Sequence, residues 1–294
     1  MTHHLLSDAK AFDLDAYLAR IDYSGPREAT LDVLRALHLR HPRAIAFENL
    51  NPLLRWPVGL DTASLVQKLV HDGRGGYCFE QNLLFAHALH ALGFRFYGLA
   101  ARVVYKQPPD TIAPRTHMLL VVALDAGTFI ADVGFGVLTL TAPLRLIHEV
   151  EQTTPHEPFR LIAAGVEYQM EARVRHAWVP LYRFTLHEAY LPDYEMASWY
   201  LCHHPGSHFT TGLVVARPLV GRRYGLRDNV LSTHYHSGMT ERRILATSDA
   251  LRAALEECFG LRVPEGPEVD AAFARISTAR PLRRASSADH ARVP

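Results

Sequence analysis

The sequence predicts an α+β protein in three successive parts: a helical part, an antiparallel β part and a small mixed α/β unit. Two observations carry the prediction. The spacing of apolar residues changes from three and four to two near Phe94, and it becomes mixed after "HHPGSHF" at 203–209. A glycine-rich run, "HDGRGGYCFEQN" at 71–82, also turns into a helical pattern at a single cysteine.

In the first part, "DLDAYLARI", "EATLDVLRALHLRHP" and "TASLVQKLVHD" repeat apolar residues at helical spacing, and "CFEQNLLFAHALHALGF" ends in a glycine suited to a helix C-cap. These predict a helical bundle over 1–92. From 93 to 200 the β-branched and aromatic runs "FYGLAARVVY", "THMLLVVAL", "GTFIADVGF", "PFRLIAA" and "YRFTL" lie between Gly, Pro, Asp and Thr, which predicts an antiparallel sheet or barrel. The stretch 201–294 offers strands at 212–216, 223–226 and 230–235. It also offers one helix, "SDALRAALEECFG", with Ser248 as N-cap and Gly260 as stop. The tail "TARPLRRASSADHARVP" lacks periodicity and is expected to fray.

At 294 residues and 48% hydrophobic, the chain can bury a large core and has room for two or three domains. With 31 basic and 30 acidic residues, its charge draws it neither to nucleic acid nor to an anionic membrane. The start "MTHHLLSDAKAFDLDAY" has no apolar core of a signal peptide or membrane span, so a cytoplasmic location is the default. Cys78, Cys202 and Cys258 are too scattered for a disulfide framework or a paired metal motif, and reduced thiols are expected.

A thiol at the head of a helix faces unpaired N–H groups and the positive end of the macrodipole, which favour a thiolate. Cys78 alone reads equally well as a small buried apolar residue. A catalytic cysteine also needs a base and a group that orients the base. The β-rich part offers His117 in "RTHMLLVVAL" and Asp132 in "FIADVGFG". If Leu124 pairs with Gly127 across a two-residue turn, His117 lies opposite Gly134 and Asp132 is its diagonal neighbour on the same face. A three-residue turn would put the two side chains on opposite faces.

Taken together, "IAFENL" (45–50), "RGGYCFEQN" (74–82), "RTHMLLVV" (115–122) and "ADVGFG" (131–136) resemble, in order and separation, the signature segments of the arylamine N-acetyltransferase family. The resemblance implies a helical first domain, a β-barrel second domain and an α/β lid, with a papain-like Cys-His-Asp site between the first two. It implies Cys78 as nucleophile, His117 as base and Asp132 as orienting acid. By the same resemblance Arg74 pairs with Glu48 as structural support. Gly134 and Gly136 permit close approach of ligand, Phe135 is an apolar wall, and Thr116 and Phe209 lie near the coenzyme A thiol arm. One departure is Ser198, which stands where many relatives carry Asn.

The implied reaction is a ping-pong transfer. Cys78 takes the acetyl group of acetyl-CoA as a thioester and passes it to an aromatic amine or hydrazine. Acetyl-CoA is then a co-substrate, with no permanently bound cofactor and no metal. Three other readings share the residues: an amide synthase of polyketide biosynthesis, a Cys-His-Asp thioester hydrolase and a catalytically idle binding protein. "CHH" at 202–204 and "HYH" at 234–236 lack the further ligands of a four-coordinate metal site. Arg-Gly-Gly is not followed by the Lys-Ser or Lys-Thr of a phosphate loop. Paired arginines at 222–223 and 242–243 are candidates for coenzyme A phosphates but read first as solvated faces. Cys202 reads as an inter-domain residue, and the Cys258 helix as packing.

Overall fold

The computed structural model describes residues 5, 6, 8, 11–108 and 111–278, so the tail beyond Thr278 lies outside the described residues. Helices α1 (Leu14–Arg20) and α2 (Leu31–Ala44) begin at Asp13 and Thr30, whose side chains accept the N–H groups of Ala16 and Val33. A two-residue strand, β1 (Phe47–Glu48), interrupts the helical part. Two short helices follow, α3 (Leu50–Leu54) and α4 (Thr62–Leu65), and the latter runs into a π-helical turn at Val66–His71. Helix α5 (Cys78–Ala91) is buried on every side from Cys78 to Leu89, including the polar Glu80, Gln81, Asn82 and His87, which marks it as a central helix. Its C-terminus closes at Gly93, with φ of 79°. The N–H of Gly93 donates to His90 and that of Phe94 to Leu89, which satisfies the last carbonyls.

The middle of the chain forms β2 (Arg95–Val103), β3 (Arg115–Leu124), β4 (Gly127–Ala131), β5 (Leu144–Arg145), β6 (Phe159–Ala164), β7 (Glu167–Val174) and β8 (Ala177–Ala189). They make one antiparallel sheet in the order β5-β4-β3-β2-β8-β7-β6. Bridges from His148 to Leu161 and from Gln152 to Phe159 nearly close it into a barrel. Strand β3 is buried on both faces. Met118, Leu120 and Val122 pack in the cluster that contains α5, and Leu119 and Val121 pack in a separate cluster with Phe159, Leu161 and Phe184. Its unbroken apolar run follows from that position.

Helix α6 (Leu191–His203) and a 3-10 turn (His208–Thr210) lead to β9 (Val214–Leu219), β10 (Arg222–Arg227), β11 (Val230–Tyr235) and β12 (Thr240–Ile244). These join β1 in a second antiparallel sheet, ordered β1-β9-β10-β11-β12. Helices α7 (Ser248–Glu257) and α8 (Pro267–Ser277) pack on it through Leu251, Leu255, Val269 and Phe273. The fold is therefore α+β. No described helix is long and apolar enough to cross a membrane.

Several local expectations change. The N-cap of α7 is Thr247, whose hydroxyl accepts the Ala250 N–H at 3.2 Å, and Ser248 is the first helical residue. Helices α6 and α8 and the charged edge strand β12 were not anticipated. Strand β1, two residues long, is too short for any periodicity, yet it ties the helical part to the second sheet at Phe47–Ala216 and Glu48–Val215.

Candidate active site

Cys78 is the first residue of α5, and the preceding glycines let its loop lie against β1. A Cβ on Gly75 would sit 2.1 Å from the Ala46 carbonyl oxygen, and one on Gly76 would sit 2.8 Å from Glu80. Only bare backbone fits there. The Gly76 N–H donates to the Ala46 carbonyl at 3.3 Å and the Glu48 N–H donates to the Gly76 carbonyl at 3.1 Å.

Beneath this loop lies a buried ionic cluster. The Arg74 guanidinium donates to Glu48 Oε1 from Nε at 3.1 Å and from Nη2 at 2.7 Å, and Lys68 Nζ donates to Glu80 Oε1 at 2.6 Å. Glu80 Oε2 accepts the Tyr77 N–H at 3.1 Å and so caps the helix that begins with Cys78. Burial raises the Glu48 pKa, but the charges of Arg74 and Lys68 outweigh it and hold the carboxyl below its usual range. At Glu80 burial dominates Lys68 and the pKa is raised. Removing one partner of a buried pair strands the other. Arg74→Ala is therefore expected to destabilise the fold by about 3–5 kcal/mol, measured by urea unfolding. A loss below about 1 kcal/mol, the value of a surface pair, would contradict this.

His117 lies on β3 and Asp132 directly follows β4. The connecting turn has two residues, with Leu124 opposite Gly127, so both side chains project on one face. His117 Nε2 and Asp132 Oδ2 are 2.7 Å apart, both buried. The Gly134 N–H donates to Asp132 Oδ1 at 2.9 Å. Asn82, one turn beyond Cys78, donates to the same oxygen at 3.1 Å, to the Cys78 carbonyl at 3.2 Å and to the Met118 carbonyl at 2.9 Å, and it accepts the Val133 N–H at 3.0 Å. One amide thus joins the helix of the thiol, the strand of the histidine and the loop of the aspartate. The Asp132 N–H is taken by Nε2 of buried His38 at 3.1 Å. Burial lowers the His38 pKa to about 4, which keeps that nitrogen an acceptor at neutral pH. For Asp132, burial raises the pKa, but His117 and the donated hydrogen bonds bring it below the usual value.

A β-bulge brings the thiol and the histidine strand together. Ala101 pairs with His117 and Arg102 with Arg115, which leaves Thr116 as the extra residue. Its carbonyl accepts the Cys78 thiol at 3.4 Å. The thiol is not the acidic group that a helix N-terminus alone would make it. Burial pushes its pKa up, the Asp132 carboxylate acts in the same direction, and the N–H groups of Met118 and Phe79 only partly oppose them. Because α5 is buried on all sides, the macrodipole is outweighed by desolvation. Ionisation of Cys78 requires its proton to stop on a nearby base, which leaves an ion pair instead of a second buried anion.

Aromatic rings wall the site. Phe135 meets the His117 ring edge-on at 5.2 Å, and Tyr182 lies 4.8 Å from it. Phe209 packs on Phe47 at 6.1 Å and on Tyr77 at 5.6 Å. Gly136 has φ of 94°, and a Cβ there would lie 3.7 Å from the Phe47 ring. Gly134 differs from the expectation of a ligand-facing glycine. A Cβ there would lie 2.9 Å from both the Cys78 Cα and Asn82 Nδ2, so its missing side chain lets the acid loop cross the head of α5. Ser198 is buried and hydrogen-bonds the Tyr77 hydroxyl at 2.5 Å.

Cys78, His117, Asp132, Thr116 and Phe135 therefore converge, and Gly136 and Phe209 meet them across Phe47. Arg223 departs from the solvated face expected of it. It is 2% exposed and paired with Glu157, whereas Arg242 and Arg243 are exposed. Asn82 and His38 went unnoticed in the sequence. Asn82 had a signal, four residues after Cys78 and so on the same helical face. His38 had none, because its contact spans 94 positions.

A family model described as N-acetyltransferase matches residues 30–268. The chain is 44% identical to an arylamine N-acetyltransferase of Escherichia coli over 253 residues, 86% of this chain and 90% of that one. It is also 44% identical to one of Mycobacterium bovis over 270 residues, 90% and 95% of the two chains. The structure of Mycobacterium marinum arylamine N-acetyltransferase in complex with CoA aligns with a TM-score of 0.86 at 40% identity, covering 90% of this chain and 99% of that one.

Proposed function

Because the chain belongs to the arylamine N-acetyltransferase family, we propose that it moves the acetyl group of acetyl-CoA to an aromatic amine or hydrazine through a thioester on Cys78. The observation that carries the reading is the His117–Asp132 contact of 2.7 Å on the strand whose Thr116 carbonyl touches the Cys78 thiol.

In this reading His117 takes the thiol proton as sulfur attacks the thioester carbonyl. The carbonyl carbon gains its bond to Cys78 and loses its bond to the coenzyme A sulfur, which leaves with the proton returned by His117. The amine nitrogen then attacks the acetyl-cysteine, His117 takes the proton it sheds, and the Cys78 sulfur departs and is reprotonated. Asp132 holds the imidazole in one tautomer and stabilises its cation, while Asn82 and the Gly134 N–H fix the carboxylate. Phe135 and Phe209 wall the acyl carrier and acceptor. Arg74 and Glu48 support the nucleophile loop from below.

We propose three domains, 1–92, 93–200 and 201–294, with β1 as the strand that pairs the first with the sheet of the third. Three free cysteines suit a cytoplasmic setting. Burial of Cys78, 4% exposed, favours transfer over hydrolysis, since water is kept from the thioester.

Incubated with acetyl-CoA and no acceptor, the enzyme is expected to release one equivalent of coenzyme A and to hold one acetyl group on Cys78. Peptide mass spectrometry locates it, and an added arylamine discharges it. An adduct on Cys202 or Cys258, or steady release of coenzyme A without amine, would reject the assignment.

A further inference from the structure

Besides the Gly134 N–H on Asp132 Oδ1, the loop from Asp132 to Thr141 is tied to itself through Thr139. Its hydroxyl accepts the Phe135 N–H at 3.2 Å and donates to the Asp132 carbonyl at 3.3 Å, and its own N–H donates to the Gly136 carbonyl at 3.1 Å. One group of Thr139 is left, its carbonyl, and that is held from outside the loop. Nη2 of Arg223 donates to it at 3.0 Å.

Arg223 belongs to β10 of the second sheet, and its guanidinium is locked in place by Glu157, with Nε 2.8 Å and Nη2 2.6 Å from Glu157 Oε2. Glu157 lies just before β6 of the barrel, so one fork spans three segments. Two residues along on the same face of β10 is Gly225, where a Cβ would lie 3.1 Å from the Val137 side chain. That face of β10 is therefore shaped to the acid loop twice, by a charged fork and by a missing side chain. The other end of the same sheet reaches the nucleophile. Strand β1 pairs with β9, and Phe47 bridges to Gly76 two residues before Cys78.

From this geometry we infer that Arg223 is a positioning residue of the acetyl transfer, through which the second sheet sets the Asp132 loop against the Cys78 loop. It touches neither substrate nor the reacting atoms. It acts through Thr139 on the Asp132 carbonyl and the Phe135 N–H. The inference rests on Asp132 being the carboxylate that serves His117.

The test measures the single-turnover rate of Cys78 acetylation at saturating acetyl-CoA, across pH, in Arg223→Met, Arg223→Lys and Thr139→Val. Arg160→Met serves as a control, since it breaks the Arg160–Glu171 pair elsewhere on the barrel. Displacement of a reacting group by about 1 Å costs about 10²-fold. Arg223→Met is expected to slow acetylation by about 10- to 100-fold in folded protein and to alter the pH profile, with the amine KM near wild type. Arg223→Lys keeps the charge but not the planar fork, so it is expected to fall between. Combining Arg223→Met with Thr139→Val is expected to cost less than the product of the single effects, because both act on one loop.

Arg160→Met is expected to lower the thermal midpoint without changing the acetylation rate. A folded Arg223→Met enzyme with wild-type rate and pH profile would overturn the inference. Should that variant fail to fold, a folded Arg223→Lys enzyme at wild-type rate would overturn it equally. Asp132→Asn separates the two layers of argument. If it too is fully active, the triad reading fails; if it alone is impaired, only the role of Arg223 does.

Discussion

Asp132→Asn is expected to lower acetyl transfer by about 10⁴-fold, by analogy with the same change in a serine-protease triad, while leaving the protein folded. The aspartate uses its two oxygens differently. Oδ2 faces His117 Nε2 at 2.7 Å, and Oδ1 accepts from Asn82 and from the Gly134 N–H. An asparagine that keeps its oxygen towards Asn82 and Gly134 preserves those contacts and turns its NH₂ towards His117. Nε2 must then accept, which moves the ring proton to the other nitrogen, the one needed as base. The cost therefore falls on the proton transfer and spares the packing. Rapid-quench measurement of acetyl-enzyme formation, with circular dichroism to verify the fold, decides it. A folded variant within about tenfold of wild type would remove Asp132 from the mechanism.

How far the sequence discloses this arrangement differs from residue to residue. The hairpin between His117 and Asp132 was legible only as a choice, since a two-residue turn puts both on one face and a three-residue turn puts them on opposite faces, and the Leu124–Gly127 pairing decides it. Helix α5 was legible because its apolar residues and Gly93 mark its body and end. Helix α6 was not, since 191–203 shows no plain apolar period. Its buried positions Tyr194, Ser198, Leu201 and Cys202 have helical spacing, which shows only once burial is known. The charge of Arg223 looked like surface because sequence shows no partner 66 positions away. Similarly, the acidity expected of Cys78 followed from its place at a helix start, a local property. Its burial depends on everything packed around α5, and it wins.

That outcome sharpens what His117 must do. With the thiol pushed up by burial and by the Asp132 carboxylate, Cys78 gives up its proton at neutral pH only if a nearby base receives it. His117→Ala is therefore expected to lower acetylation by about 10⁴- to 10⁶-fold, as loss of the base does in other nucleophile–base pairs. The same variant should change how the thiol titrates. In wild type, iodoacetamide is expected to alkylate Cys78 with a midpoint below the ~8.5 of a free cysteine, because a base that takes the thiol proton leaves an ion pair in place of a second buried anion. Without His117 the remaining influences, burial and Asp132, both raise the thiol pKa, so the midpoint should move above that value. Cys202 and Cys258 have pKa values raised by burial and should lag in both proteins. Acetyl-CoA should protect Cys78 in wild type by turning it into a thioester, and an arylamine should restore its reactivity. The measurement is a pH series of alkylation rates read peptide by peptide. If His117→Ala, still folded, keeps the wild-type midpoint, the proton of Cys78 goes elsewhere, and the 2.7 Å contact between His117 and Asp132 is structural instead of catalytic.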